Sequence, residues 1–194
     1  MNKEKIALIG NSSKLLNNDY SELIDSHDWV VRFNLARVKK FEKYVGSKTS
    51  IRMVNHHVFT GTTDASLFSK YDVNFIPSIG EPIILCKYLS NFENIAKIRN
   101  IKVPVSYVKD ETYDKACVML KNEKSPSMGF IAIVFALEIF NDVSIFGFEL
   151  DKQNNPSHYW EETNNFNASN YHNFSIENEK IKELIKDKKI KYYE

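Results

Sequence analysis

The sequence predicts an α/β fold in which a mainly parallel sheet is covered by helices on both faces. Three observations predict it. Apolar runs of strand length recur along the chain. Stretches with helical periodicity, or apolar on nearly every side, lie between them. The first run ends in Gly and is followed at once by Asn and Ser, residues suited to turning a strand straight into a helix.

The elements follow in order. "KIALIG", Lys5 to Gly10, reads as a buried first strand, with "NSSKLL" after it as a capped helical start. "DWVVRFN", Asp28 to Asn34, is the second strand, and "TSIRMVN", Thr49 to Asn55, the third. The fourth is assigned to "DVNFIP", Asp72 to Pro77, stopped by its proline. "VPVSYV", Val103 to Val108, is the fifth, and "DVSIFGF", Asp142 to Phe148, the sixth. Three helices stand out. "DETYDKACVMLKN" opens on a carboxylate pair, and "SMGFIAIVFALEIF" is apolar enough to be buried. "SIENEKIKELIKDKK" is amphipathic, with Ser175 as a cap.

The 194 residues fit one domain, 1–194. With 26 basic and 25 acidic side chains the net charge is +1, which argues against nucleic acid as a partner. No apolar stretch approaches the ~18 residues of a membrane span. Cys86 and Cys117 fit no metal-ligand spacing, so free thiols in a reducing, cytoplasmic compartment are expected. Glycosylation sequons at Asn11, Asn167 and Asn173 agree, because a glycan at two of them would block the site described next. Six lysines between Lys180 and Lys191, interleaved with acids, read as a solvated face, with peripheral membrane contact as the sharper alternative.

In open α/β sheets ligands bind outside the carboxyl ends of the strands. That rule selects Gly10, Asn11 and Ser12 after the first strand and Asn34 at the end of the second. It also selects Gly147 and Phe148 after the sixth. Exposed N–H groups at the Gly10 turn suit an anion or a nucleoside, although an ordinary capped turn would look the same. No G-x-G-x-x-G dinucleotide fingerprint is present. Ser127 is placed to cap the most apolar helix, and Met128 and Gly129 keep its N-terminus open to a phosphate, with plain capping as the alternative. Arg32, on the strand that ends in Asn34, is assigned to a structural salt bridge.

His158 and His172 lie in a polar stretch rich in Asn and aromatic rings. Imidazole titrates near neutrality, so either ring can take a proton from a hydroxyl or donate to a phosphate. Two solvated loop histidines are the bland alternative, and His56-His57 and His27 are given no role. Tyr159, Trp160 and Tyr171 either stack on a sugar or base or pack a closing loop. The spacing matches no compact zinc motif, so no metal is expected.

The order of these stretches resembles glycosyltransferase family 29, the sialyltransferases. "IALIGNSSKLL…IDSHDWVVRFNLARV…FEKYVGSKTS" resembles the family's large motif, and "SPSMGFIAIVFAL…DVSIFGFEL" its small one. "HYWE", His158 to Glu161, resembles the third motif, and "HNFSIE", His172 to Glu177, the very small H-x4-E motif. The resemblance implies a Rossmann-like α/β/α sandwich, a glycosyltransferase A-type variant without metal. It implies inverting transfer from CMP-sialic acid to a sugar hydroxyl, with no other cofactor. By the same resemblance Asn11 and Asn34 contact CMP, and Ser127, Met128 and Gly129 cradle its ribose and phosphate. His158 then faces the phosphate and His172 is the base, with Glu177 either orienting it or capping a helix. The family's animal enzymes join a cysteine in the large motif to one in the small; neither motif here has one. That departure suits a compact bacterial member whose glycan acceptor, lipid-linked or not, stays open. Rival readings are a CMP-Kdo-type transferase, a nucleotide-binding domain without transfer activity, and a hydrolase using a metal held by the two histidines and nearby acids.

Overall fold

A computed structural model describes residues 4–61, 75–121, 124–151, 158–160 and 171–194. These residues contain seven strands: β1 (Lys5–Ile9), β2 (Trp29–Phe33), β3 (Ile51–Val54), β4 (Ile83–Leu85), β5 (Val105–Tyr107), β6 (Asp142–Phe146) and β7 (Lys191–Tyr193). Seven helices accompany them: α1 (Ser21–Asp25), α2 (Glu42–Val45), α3 (His56–Thr60), α4 (Phe92–Ile98), α5 (Asp110–Leu120), α6 (Met128–Ile139) and α7 (Phe174–Lys186). The strands form one sheet in the order β5-β4-β3-β2-β1-β6-β7, and every pairing is parallel.

Alternation along the strands builds a three-layer sandwich. Ile6 and Leu8 of β1 join Val31, Phe33, Val143 and Ile145 in one core, with α6 and Ile181 of α7. Ala7 and Ile9 face the other way, onto Leu15, Ile24, Val45 and Phe146. A sheet buried on both faces needs apolar residues at consecutive positions, which is why β1 and β2 read as unbroken runs. α6 is closed in for the same reason, with Phe130 to Val134 all buried. Each such side chain removed from water stabilises the fold by roughly 1.5–3 kcal/mol.

Two strand assignments needed correction. Ile76–Ser78 form a 3-10 turn with proline in its first positions, and the remainder of the expected fourth strand, Asp72 to Asn74, lies outside the described residues. Proline fixes φ and donates no hydrogen bond, so it suits the turn and not the ladder. The fourth strand is instead Ile83–Leu85, three residues too short to show a period. β7, also three residues, hides in the lysine-rich C-terminal stretch. The cap of α7 is Asn173, whose side chain accepts from the Ile176 amide; Ser175 lies inside the helix.

Arg32 makes no ion pair within hydrogen-bonding reach of a described carboxylate. Fully buried, it donates to Thr49 Oγ1 and to the carbonyls of Val45, Gly46 and Lys48 at 2.7–3.1 Å. Burial pulls its guanidinium down to about 10. Three C-terminal lysines do pair with acids: Lys180 with Glu183, Lys182 with Asp151 and Lys191 with Asp142. His27 is a core residue, its ring between the Leu23 carbonyl and Ser144 Oγ at 2.9 Å each.

The chain runs outward from β1 to β5, then returns to place β6 on the other side of β1. The sheet therefore has its switch point between β1 and β6, where doubly wound folds open a crevice at the carboxyl ends.

Candidate active site

The crevice is floored by backbone. Gly10 follows β1, and its N–H donates to the Phe146 carbonyl at 2.6 Å. A Cβ on Gly10 would stand 2.3 Å from the Gly147 carbonyl oxygen, so no larger residue fits. Gly147 has φ +64, a left-handed conformation glycine adopts at no steric cost, and it lies against Leu15. Ser12 caps the 3-10 turn Ser13–Asn17, accepting from the Lys14 amide at 3.2 Å while donating to the buried Glu149 carboxylate at 3.2 Å. Asn11 places its side-chain Oδ1 in a buried position with no hydrogen-bond partner among the described residues. An acceptor orphaned beside a strand end suits the amine or hydroxyl of a nucleoside.

A short segment is stitched onto this turn. His158 forms an isolated antiparallel bridge with Ser12, and the Tyr159 amide donates to the Asn11 carbonyl at 3.0 Å. His158 stacks on Trp160, with centroids 4.6 Å apart and planes 11° from parallel. Tyr159 points into the core instead of the crevice: it is 4% exposed, packs edge-on against Phe41 and donates its hydroxyl to the Arg37 carbonyl. Burial pushes its phenol up to about 12.

Asn34 sits left-handed (φ 48) at the end of β2. Its side-chain oxygen accepts from the Asn55 amide at 3.0 Å, which leaves the carboxamide NH2 as the group to offer a ligand. Buried Arg52 fixes this corner, donating to the Asn34 and Ala36 carbonyls while pairing with Glu81 at 2.6 Å.

The second half of the site is the tip of α6. Ser127 is its N-cap, with the side chain accepting from the Phe130 amide at 3.2 Å. Glu177, on the first turn of α7, accepts from the Ser127 amide at 2.7 Å and from its hydroxyl at 2.5 Å. The N–H groups of Met128 and Gly129 remain as the helix end's donors, since the first turn has no intrahelical acceptors for them. Gly129 lets Phe148 close in, for a Cβ there would lie 3.0 Å from that ring. Phe148 also meets Phe33, the neighbour of Asn34, edge-on at 6.2 Å. These contacts join the α6 tip to the ends of β2 and β6.

His172 stands just before α7, with Nδ1 2.9 Å from the Ser125 carbonyl oxygen. A carbonyl only accepts, so Nδ1 carries the proton and Nε2 keeps its lone pair. Burial lowers the imidazole pKa from its ordinary value, and the Lys124 charge adds to this, against the opposing pull of the Ser125 bond. The ring is therefore neutral at pH 7, in the form a general base needs. Glu177 behaves oppositely. Burial outweighs its two bonds from Ser127 and pushes the carboxyl up to about 7.

The H-x4-E pair thus grips one loop at two points: His172 at Ser125 and Glu177 at Ser127. The contacts drawn from Glu177 go to Ser127, a loop-holding part that neither expected role described. Sequence reading missed Ser125 as the partner of His172 and Glu149 as the partner of Ser12. A backbone carbonyl leaves no trace in residue type, and Glu149 lies 137 positions from Ser12. Glu161, Asn167 and the rest of residues 161–170, which hold most of the Asn-rich stretch between His158 and His172, lie outside the described residues. Among the described residues no group of three or more His, Cys, Asp or Glu is placed to hold a metal ion. Cys86 and Cys117 are free thiols.

An all-parallel sheet with a glycine-floored crevice at its switch point defines a Rossmann-like α/β protein. The family model for glycosyltransferase family 29 (sialyltransferase) matches residues 2–189, and the chain belongs to that family. A Mus musculus CMP-N-acetylneuraminate-beta-galactosamide-alpha-2,3-sialyltransferase 2 is 27% identical over 97% of this chain and 56% of its own length. The Homo sapiens sialyltransferase 1 of the same name is 29% identical over 81% of this chain and 48% of its own. A beta-1,6-galactosyltransferase, GALT29A of Arabidopsis thaliana, is 28% identical over 79% of this chain and 44% of its own length. The chain spans about half the length of these curated relatives. A crystal structure of a mammalian sialyltransferase superposes with a TM-score of 0.76 at 25% identity, covering 98% of this chain and 69% of that one.

Proposed function

We propose that this chain transfers a nonulosonic acid, sialic acid foremost, from a CMP-activated donor to a hydroxyl of an acceptor sugar, with inversion and without a metal. The observation that carries this reading is the hydrogen bond of His172: Nδ1 is committed to the Ser125 carbonyl at 2.9 Å, two residues before the α6 cap, which leaves Nε2 as the ring's acceptor. A domain that only bound a nucleotide would have no use for a base.

The chemistry follows from the parts. CMP sits with its base and ribose against Gly10, Asn11 and Asn34 and its phosphate at the N–H groups of Met128 and Gly129. That helix end carries roughly half a positive charge. His158, pinned to Ser12, faces the phosphate. The bond from the anomeric carbon to the phosphate oxygen breaks with oxocarbenium character, as in glycoside hydrolysis. The departing phosphate already bears charge, so it needs preorganised donors more than a strong acid. The acceptor hydroxyl attacks from the opposite face and gives its proton to His172 Nε2, a step worth typically ~10²–10⁴ in rate.

The relative named as a galactosyltransferase favours a second reading, in which the same site takes a nucleotide-activated galactose. The deciding experiment incubates the protein with CMP-Neu5Ac, CMP-Kdo and a nucleotide-activated galactose against a panel of sugar acceptors, with and without EDTA. Products are read by mass and linkage. Inverted transfer from CMP-Neu5Ac, unaffected by EDTA, is expected. CMP binding without donor turnover would reduce the chain to a binding module, and EDTA sensitivity would return the metal-dependent hydrolase.

A further inference from the structure

The donor reading uses the ends of β1, β2 and β6 and leaves the ends of β3, β4 and β5 idle. They lie on the same edge, because the pairings are all parallel. β4 runs into Lys87 and Tyr88, and β5 ends on Tyr107. The two tyrosine rings meet edge-on with centroids 4.9 Å apart, yet remain 50% and 40% exposed. Phe92 packs against Tyr107 at 5.9 Å and helps hold the angle. Large rings fixed in place and half open to water form a ready platform for the apolar face of a sugar, with hydroxyls at the tips for its oxygens.

One cation and two imidazoles stand beside these rings. Lys87 is exposed, its Nζ lies 4.6 Å from the Tyr113 ring centroid, and no described carboxylate pairs with it. His56 and His57 follow β3, with ring centroids 3.7 Å apart. His56 is held below the usual imidazole range by burial, then by the charges of His57 and Lys87, so the lysine and the histidine pair share one neighbourhood. Glu81 is taken by Arg52. Asp110 and Glu111 stand in the first turn of α5, where they offset that helix's own positive end.

We propose that this rim is the acceptor subsite and takes a glycan bearing an anionic group, a carboxylate or a phosphate, with a sugar ring on Tyr88 and Tyr107 and the anion toward Lys87 and His56. The proposal rests on the transfer reading above. The transfer reading already gives the donor phosphate the amides of the α6 tip, so the anion assigned to this rim is the acceptor's, and the donor KM of Lys87→Gln separates the two.

The test measures initial rates with CMP-Neu5Ac and three acceptors: lactose, a glucuronyl-galactose disaccharide and galactose 6-phosphate. Wild type is compared with Lys87→Gln and Tyr88→Ala. A charged acceptor is expected to show a KM about tenfold below that of lactose, the size of one charge-assisted hydrogen bond. Lys87→Gln should erase that advantage, and Tyr88→Ala should raise KM for all three acceptors, with donor KM steady within about twofold. Which charged sugar benefits separates carboxylate from phosphate. Charged acceptors no better than lactose, or Lys87→Gln acting on donor KM, overturn the proposal. Should no acceptor give product, the transfer reading fails, and saturation-transfer NMR of the same sugars on CMP-loaded protein decides the subsite alone. Saturation of a charged sugar that is lost in Tyr88→Ala upholds the subsite, and no saturation in wild type overturns it.

Discussion

The two halves of the candidate site are made of different material. The floor of the β1–β6 crevice is backbone against backbone, Gly10 on Gly147, a contact that needs no titrating group to hold its shape. The α6–α7 corner is side chain on loop, His172 on Ser125 and Glu177 on Ser127, with both ionisable groups displaced from their ordinary pKa values in opposite directions. The first half should be sensitive to volume and indifferent to pH. The second should tolerate isosteric change structurally but respond to every change in proton affinity.

The largest effect tests the chemical half. His172→Ala is expected to lower kcat by about 10²–10⁴ while leaving donor KM within a fewfold, because the base acts only as the acceptor hydroxyl attacks. The wild-type kcat should fall in acid with an apparent pKa below the ordinary 6.5, since burial disfavours the imidazolium. Near-normal transfer by the variant would remove His172 from the chemistry.

Glu177 comes next, and its sign is the reverse of a common surface carboxylate. Burial holds the folded carboxyl at about 7, above the ordinary 4.5 of a glutamate in the unfolded chain. The associated stability is therefore fully present below pH 4.5 and lost as pH rises through about 7. A shift of that size is on the order of 3 kcal/mol at high pH. Glu177→Gln keeps an acceptor for the Ser127 amide and removes the titration. Denaturant melts from pH 4 to 9 should show wild type losing stability across that window and the variant losing much less. Parallel curves would mean the carboxyl is not held at the α6 tip.

The contrast also explains what was legible in the sequence. β1, β2, β3 and β6 were readable because a sheet covered on both faces forces continuous apolar residues. β4 and β7 were not, because three residues carry no period, and Pro77 gave a false stop to a strand that lies elsewhere. The backbone half of the site was readable through Gly10 and the strand-end rule. On the chemical half, the residue types His172 and Glu177 were visible but their partners were not. Whether Glu177 faces His172 or Ser127 depends on how α7 docks, and the atoms that answer it are a main-chain amide and a hydroxyl 50 positions away.

The volume half is tested by Gly10→Ala. Its new Cβ would have to displace the Gly147 carbonyl from 2.3 Å, and overpacking of this kind costs typically 1–3 kcal/mol. The loss should be the same at pH 5 and pH 8, in contrast to the Glu177 variant. A pH-dependent loss would show that the crevice and the α6 corner are coupled through Phe148, which touches Gly129 on one side and follows Gly147 on the other.

Tyr159→Phe gives the smallest effect and separates the two roles its ring was offered. The ring is 4% exposed among Phe41 and Trp160, and only its hydroxyl leaves the apolar set, donating to the Arg37 carbonyl. Removing that hydroxyl strands a part-buried acceptor, at a cost of about 1 kcal/mol, or ~2–4 °C in Tm for a domain of this size. Donor KM should not move, because Tyr159 reaches the crevice through its amide on the Asn11 carbonyl and not through its ring. A raised donor KM with unchanged Tm would put the phenol on the ligand and require the 158–160 segment to turn over when the donor binds. A lowered Tm with KM intact would leave Tyr159 as the peg that holds His158 against Ser12.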